Sequence, residues 1–148
     1  MPGKDFAEFL TERYPAEGWS LLCAESRPSE NIINDSLMEL TSRGYETTII
    51  SDNMIGFTLS KKKVDLVFIY YHWINTNSVY CQGGSLLTAV LAKELGIPCH
   101  IYPTDYSVKT ADNGHSICFA GDNIVPKGVK SFVQQMEKVP LGYVSERW

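Results

Sequence analysis

Apolar residues in this chain occur in two alternating patterns, as short continuous runs and as longer stretches with helical spacing. The runs at 18–25, 45–51, 64–73 and 97–103 are bounded by Gly, Pro, Asp or Asn, which predicts buried strands. The segment VDLVFIYYHW at 64–73 is the most continuously apolar, as is typical of a central strand covered on both faces. The pattern therefore predicts at least four strands.

Helical spacing of apolar residues appears between and around these runs. After the first three strands it covers 26–44, 53–63 and 85–95 in turn. Near the start it includes Phe6, Phe9, Leu10 and Tyr14, and near the end it runs from Val129 to Val139. We expect helices in all of these segments.

Strands that alternate with helices favour parallel pairing through right-handed crossovers. The length of 148 residues and the 44% hydrophobic content suit one core. We predict a single α/β domain over 1–148, Rossmann-like or flavodoxin-like, with a mostly parallel sheet of about four to five strands and helices on both faces. Long loops are expected at 74–84 and 104–115, and 116–128 is either a hairpin or a strand followed by extended chain.

Charge and composition exclude several classes of protein. The net charge of −4 argues against binding to nucleic acid, which usually requires a basic face. No apolar stretch is long enough for a membrane-spanning helix, and the N-terminal segment lacks the apolar core of a signal peptide. The four cysteines lie far apart without zinc-ligand spacing. We expect a reduced, soluble, cytoplasmic protein with no metal and no cofactor.

Ligands of parallel sheets bind beyond the carboxyl ends of the strands, so the segments that follow the predicted strands are the candidates. Glu25 and Arg27 leave the first strand together. The carboxylate could bind sugar hydroxyls or act as a base, and the guanidinium could bind phosphate, with a surface salt bridge as the alternative. Tyr71 and Trp73 end the third predicted strand, where they could stack on an aromatic ligand or complete the core.

A glycine-containing turn precedes the predicted helix at 85–95. Gly83, Gly84 and Ser85 could present free backbone N–H groups and the positive end of the helix dipole to a phosphate, or could simply allow a tight turn. The sequence has neither a dinucleotide-binding glycine motif nor a P-loop. A thiolate pair formed by Cys81 and His72 is a further, nonspecific alternative.

Residues 19 to 103 resemble the nucleoside 2-deoxyribosyltransferase-like superfamily. The match rests on the turn AESRP at 24–28, on LTSRGYET at 40–47, on Trp73, and on 84–98 with its closing LGIP. The resemblance implies a small Rossmann-like fold that binds nucleosides or nucleotides. It also implies a homo-oligomer, in which exposed aromatic residues complete a neighbour's pocket; the candidates are Tyr80, Tyr106, Tyr143 and Trp148.

Thr88 departs from that superfamily, because it stands where the family has a catalytic glutamate and a hydroxyl cannot supply the charge. The resemblance then implies a protein that senses or sequesters a nucleotide, nucleoside or related ribosylated molecule without efficient turnover. The expected ligand-binding residues are Glu25, Arg27, Tyr71, Trp73, Gly83, Gly84, Ser85 and Thr88. Two alternatives stay open, namely an N-glycosidase or deoxyribosyltransferase-type enzyme with a relocated acidic residue, and a protein-interaction module.

Overall fold

The computed structural model describes residues 4–26, 33–61, 64–104, 118–119 and 122–148. The helices are α1 (Lys4–Arg13), α2 (Ile33–Ser42), α3 (Ile55–Lys61) and α4 (Ser85–Glu94), with short 3-10 helices at Asp52–Met54 and Leu141–Tyr143. The strands are β1 (Ser20–Ala24), β2 (Glu46–Ile50), β3 (Val67–Ile74), β4 (Ser78–Gln82), β5 (Cys99–Pro103), β6 (Cys118–Phe119), β7 (Asp122–Asn123), β8 (Met136–Pro140) and β9 (Glu146–Arg147).

The strands form one large sheet and two small ones. The large sheet has the order β8-β4-β3-β5-β9, while β1 pairs with β2 and β6 pairs with β7. The β1–β2, β3–β5 and β5–β9 pairs are parallel, and the β3–β4, β4–β8 and β6–β7 pairs are antiparallel. The predicted α/β class is confirmed, with the four predicted strands and the helices between them near their predicted positions. Strands β1 and β2 form a separate parallel pair, and the large sheet combines parallel and antiparallel pairs.

The segment predicted as the loop 74–84 contains strand β4, which forms a hairpin with β3. The turn is held by the Asn75 side chain, whose Oδ1 accepts hydrogen bonds from the backbone N–H groups of Asn77 (3.1 Å) and Ser78 (2.9 Å). An asparagine that bonds backbone groups two and three residues ahead is a common turn device. The loop prediction missed this hairpin because SVYCQ is too short to show a clear alternation.

The predicted C-terminal helix over 129–139 is wrong. Residues 124–135 lie outside the helices and strands, and β8 (Met136–Pro140) then pairs with β4 through Val79↔Val139. The helical spacing was misleading because its members do not share a buried face: Val139 is fully buried, whereas Val129 and Phe132 are exposed. For 116–128, the hairpin alternative agrees with the antiparallel β6–β7 pair.

Strand β3 is covered on both faces, as the sequence predicted. On one face Val67 and Ile69 join residues of α3 and α4 in a cluster that we call the α3/α4 core. On the other face Phe68 and Tyr70 pack against a cluster built on α1 and α2, which we call the α1/α2 core. The ring of Phe6 lies edge-on to the rings of Phe68, Tyr70 and Tyr102, with centroid distances of 5.0–5.4 Å.

Aromatic residues expected to contact a neighbouring subunit have partners within the chain. Tyr143 packs against the α3/α4 core, Trp148 lies under the guanidinium of Arg13 at 3.9 Å, and Tyr80 stacks on Trp73. Tyr106 lies outside the described residues. The part of the chain described here contains no helix that is both long and apolar enough to cross a membrane.

Candidate functional site

A cavity of about 350 Å³ lies between β1 and the N-terminal half of β3. Among the described strands, β1 pairs only with β2. Residues 67–70 of β3 pair with β5 along one edge, while β4 pairs with β3 only from Tyr71 onwards. The walls are mostly apolar and come from β1, β3, α1 and α3. A volume of this size is at the lower end of the range for small-molecule sites.

One end of the cavity is polar, and it lies where the parallel strands finish. Ser26 and Asp52 line it just beyond the ends of β1 and β2, respectively, and Thr104 lines it just beyond the end of β5. His72 lines it from within β3, and Gln82 lines it from β4. Ser26 N–H donates to Asp52 Oδ1 (2.8 Å), and Gln82 Nε2 donates to the Ser26 carbonyl (2.8 Å). These bonds tie the β1–β2 pair to the large sheet.

The turn after β1 is conformationally strained. Ser26 has a φ of 56°, a left-handed conformation that costs about 1 kcal/mol or more for a residue with a Cβ. This conformation directs the Ser26 N–H towards Asp52 and its carbonyl towards Gln82. The strain is therefore linked to the hydrogen bonds that build the polar end of the cavity.

A β-bulge in β3 decides which of its aromatic residues face the cavity. The β3–β4 register shifts between Tyr71↔Cys81 and Trp73↔Tyr80. Tyr71 consequently packs against the α3/α4 core, while His72 lines the cavity and the Trp73 ring stacks on Tyr80 at 4.7 Å. A bulge commonly re-aims side chains in this way. Of the two residues expected to contact a ligand here, Tyr71 is turned away and Trp73 lies beside the cavity-lining His72.

The turn before α4 lines the cavity, and the N–H groups at the start of the helix are partly occupied. Gly84 has a φ of 93°, and the Leu86 N–H donates to Glu137 Oε1 of β8 at 2.6 Å. A carboxylate of the protein itself thus lies against the positive end of the helix, where a phosphate was expected. Thr88 donates to the Gly84 carbonyl (2.9 Å), which is ordinary bonding within a helix.

Gly83 allows close packing of two backbone segments. A Cβ at this position would lie 2.5 Å from the Gln134 carbonyl oxygen, and the Gly83 N–H donates to the Gln135 carbonyl (2.8 Å). Only glycine tolerates such an approach of two backbone segments. Gly83, Gly84, Ser85 and Thr88 nevertheless all border the cavity.

Of the first predicted pair, Glu25 and Arg27, the structure describes only Glu25. The Glu25 N–H donates to the Ile50 carbonyl (2.9 Å), so its backbone extends the β1–β2 ladder, and Glu25 is not a lining residue. Arg27 lies outside the described residues. Asp52, Gln82 and Thr104 were not predicted as site residues, although Asp52 and Thr104 directly follow predicted strands.

The proposed Cys81–His72 thiolate pair is wrong. Cys81 is fully buried in the α3/α4 core, and burial, with a smaller effect of the Glu137 carboxylate, raises the pKa of its thiol to about 12. Burial also raises the pKa of the cavity-lining Cys23 thiol to about 11. Both thiols are therefore protonated at neutral pH and are poor nucleophiles. Among the described residues, no cluster of three or more candidate ligands could hold a metal ion.

The chain matches a known protein family over most of its length. A model of the IF-2B family, described as the initiation factor 2 subunit family, matches residues 7–145. The chain belongs to the initiation factor 2 subunit family. IF-2B relatives among characterised proteins include the methylthioribose-1-phosphate isomerase of Carboxydothermus hydrogenoformans, which is 30% identical over 134 residues covering 82% of this chain and 39% of the relative. The chain thus spans about two fifths of the length of that relative.

Solved structures show the same IF-2B fold. The 5-methylthioribose 1-phosphate isomerase of Pyrococcus horikoshii superposes with a TM-score of 0.76 at 20% identity, over 95% of this chain and 42% of that one. The delta subunit of translation initiation factor eIF-2B from A. fulgidus superposes with a TM-score of 0.72 at 23% identity, over 86% of this chain and 41% of that one. At these identities the likeness concerns the fold alone.

The IF-2B membership overturns the resemblance to the nucleoside 2-deoxyribosyltransferase-like superfamily. The quoted patterns mark strand ends, helix stops and a glycine turn, which recur in α/β folds with different activities. The threonine at position 88 therefore no longer indicates a lost catalytic glutamate, because that inference depended on the resemblance. The curated relatives are named as isomerases, so the interpretations as a nucleotide-sequestering protein and as a deoxyribosyltransferase-type enzyme are wrong.

Proposed function

We propose that this chain binds a phosphorylated pentose at the polar end of the cavity, as a sugar-phosphate-binding domain of the isomerase type. The observation that carries the proposal is the convergence of Ser26, Asp52, His72 and Thr104 from four strands, with Gln82, on a cavity of about 350 Å³. A carboxylate accepts hydrogen bonds from the hydroxyl groups of sugars, while amide and hydroxyl groups both donate to them and accept from them. The isomerase names of the curated relatives support a sugar phosphate as the ligand.

Asp52 and His72 would also supply proton transfer. Isomerisation of a sugar moves a proton between carbons, and positioned acids and bases accelerate such steps by about 10²–10⁴-fold. Both side chains line the polar end, while the buried Cys81 is excluded by its raised pKa. This chain covers 39% of the length of that isomerase relative, so turnover by this chain alone is part of the proposal.

Thermal unfolding with added sugar phosphates tests the binding. Methylthioribose 1-phosphate and ribose 5-phosphate should each raise the Tm, because a ligand that binds only the folded state stabilises it. Asp52→Asn should abolish the shift, whereas Asp65→Asn is the matched control, since Asp65 lines the cavity but lies before β3, away from the polar end. Product analysis by NMR on the same samples reports turnover. An unchanged Tm in the wild-type chain with both sugars would refute the proposal.

We further propose that the chain assembles as a homo-oligomer in the cytoplasm. Exposed apolar side chains on α3 and α4 support self-association, and cell fractionation would test the location. The proposed ligand is a small molecule, with neither nucleic acid nor membrane as a partner.

A further inference from the structure

The described lining of the cavity offers no cationic side chain for the phosphate of its proposed ligand. Its described lining contains Asp52 and Asp65 but neither lysine nor arginine. The helix end that could have held an anion is bonded to Glu137 through the Leu86 N–H. A dianionic group is therefore poorly matched to these walls and needs a cation nearby.

Strand pairing places a row of three side chains next to the polar end. Trp73 of β3 is the partner of Tyr80 of β4, and Tyr80 is the partner of Lys138 of β8. Side chains at paired positions point to the same face of a sheet. Gln82, which lines the cavity, lies two residues after Tyr80 and so shares this face, about 7 Å further along the strand.

The other face of the same strands excludes an alternative orientation. Val79 and Cys81, which flank Tyr80, are fully buried in the α3/α4 core, as is Val139 beside Lys138. Tyr80 and Lys138 must therefore point away from that core, towards the side on which His72 and Gln82 line the cavity.

The chemistry of the row suits an anionic sugar. The Trp73 and Tyr80 rings are stacked at 4.7 Å with an interplanar angle of 22°, and Trp73 is 46% exposed. Lys138 is exposed and forms no ion pair with any described residue. An accessible aromatic face binds the carbon skeleton of a ligand, and an ammonium group binds a phosphate as a point charge.

We propose that Trp73, Tyr80 and Lys138 form a subsite for the phosphorylated end of a sugar phosphate whose hydroxyl groups are held at the polar end of the cavity. This assignment rests on the proposed function. The β-bulge at Tyr71/Trp73 creates the subsite, because it turns Trp73 to the same face as His72 and Tyr80. Lys138 supplies the positive charge that the described lining lacks.

Isothermal titration with ribose 5-phosphate and with ribose separates the role of the charge from that of the cavity. Lys138→Ala should weaken binding of ribose 5-phosphate about tenfold, leave ribose unchanged, and lose its effect at high salt. Lys61→Ala on α3 is the matched control and should bind both ligands like the wild type.

Trp73→Ala should weaken the binding of both ribose and ribose 5-phosphate, and Trp73→Phe should recover part of the lost affinity. Ribose 5-phosphate should also change the tryptophan emission of the wild type more than that of Trp73→Phe.

The outcomes distinguish the subsite from the function on which it rests. If Asp52→Asn abolishes binding while Lys138→Ala and Trp73→Ala bind ribose 5-phosphate like the wild type, the subsite is refuted and the proposed function stands. If Lys138→Ala weakens the binding of ribose and of ribose 5-phosphate equally, a phosphate-binding role of Lys138 is refuted. If the wild type binds no sugar phosphate, both proposals fail. Urea unfolding of each variant checks that these exposed substitutions leave the fold intact.

Discussion

At the scale of single residues, Glu137 has the most consequential contact in the site. Its carboxylate accepts a hydrogen bond from the Leu86 N–H and so satisfies the first turn of α4 from a different element, β8. The same negative charge contributes to the raised pKa of the Cys81 thiol, after burial. Glu137 therefore joins the edge strand to the helix and adds to the effect of burial on the pKa of a neighbouring thiol.

Replacing Glu137 should destabilise the chain through the exposed end of α4. We expect Glu137→Ala to lower the free energy of unfolding by about 1–2 kcal/mol, the usual effect of losing a cap at a helix N-terminus. Glu137→Gln should cost less because the amide oxygen still accepts the hydrogen bond. Urea unfolding of the three proteins measures the difference. Equal stability of the alanine variant and the wild type would show that the cap is unimportant.

At the scale of elements, strand β9 is attached to the sheet by polar contacts around His100. Trp148 Nε1 donates to His100 Nδ1 (3.5 Å), His100 Nε2 lies 3.5 Å from Glu146 Oε2, and the Phe68 ring lies edge-on to the imidazole at 5.6 Å. Burial lowers the pKa of His100 below 6.5, and the half-exposed Glu146 carboxylate only partly opposes this effect. The neutral imidazole is the form that accepts the Trp148 bond.

This geometry gives a pH dependence with a defined sign. A histidine whose pKa is lower in the folded state stabilises that state fully above its unfolded pKa of 6.5. The stabilisation is lost as the pH falls from there through the lowered pKa of the folded state. Urea unfolding between pH 5.5 and 7.5 should show a steeper loss of stability at low pH in the wild type than in His100→Gln. Parallel curves for the two proteins would disprove the coupling, because His72 and His115 are present in both.

The elements also show where sequence patterns succeed. Strand β3 was predictable because both of its faces are apolar, and α4 was predictable from the spacing of Leu87, Leu91 and Leu95. Strand β8 was not, because its apolar spacing imitates a helix while its stability comes from pairing with β4. Trp73 was a candidate because of its place at a strand end, whereas Lys138 belongs to a strand that the sequence did not predict.

At the scale of the whole molecule, an apolar surface on the α3–α4 pair supports self-association. Phe57 is 56% and Leu87 is 55% exposed. The two helices pack closely, with an added Cβ at Gly56 only 3.7 Å from Leu91 Cδ1. Large apolar side chains on neighbouring elements are typical of protein interfaces.

Light scattering measures this association directly. The wild type should have the mass of at least a dimer at micromolar concentration, and Phe57→Ser/Leu87→Ser should shift it to a monomer by removing apolar contact area. Phe132→Ser is the control, since Phe132 is 77% exposed in the segment outside regular structure. A monomeric wild type, or dissociation by the control variant alone, would contradict the proposed surface.

The sequence by itself determined four strands with the helices between them, the two-sided burial of β3 and the net charge of −4, because hydrophobic spacing and charge are properties of the chain. It could not determine the site. The tertiary structure turned Tyr71 and Trp73 to opposite faces through one bulge, brought Glu137 to the start of α4, and gathered Asp52, Gln82 and Thr104 at one cavity. Each of these arrangements depends on register and on contacts between distant segments, which local spacing does not encode.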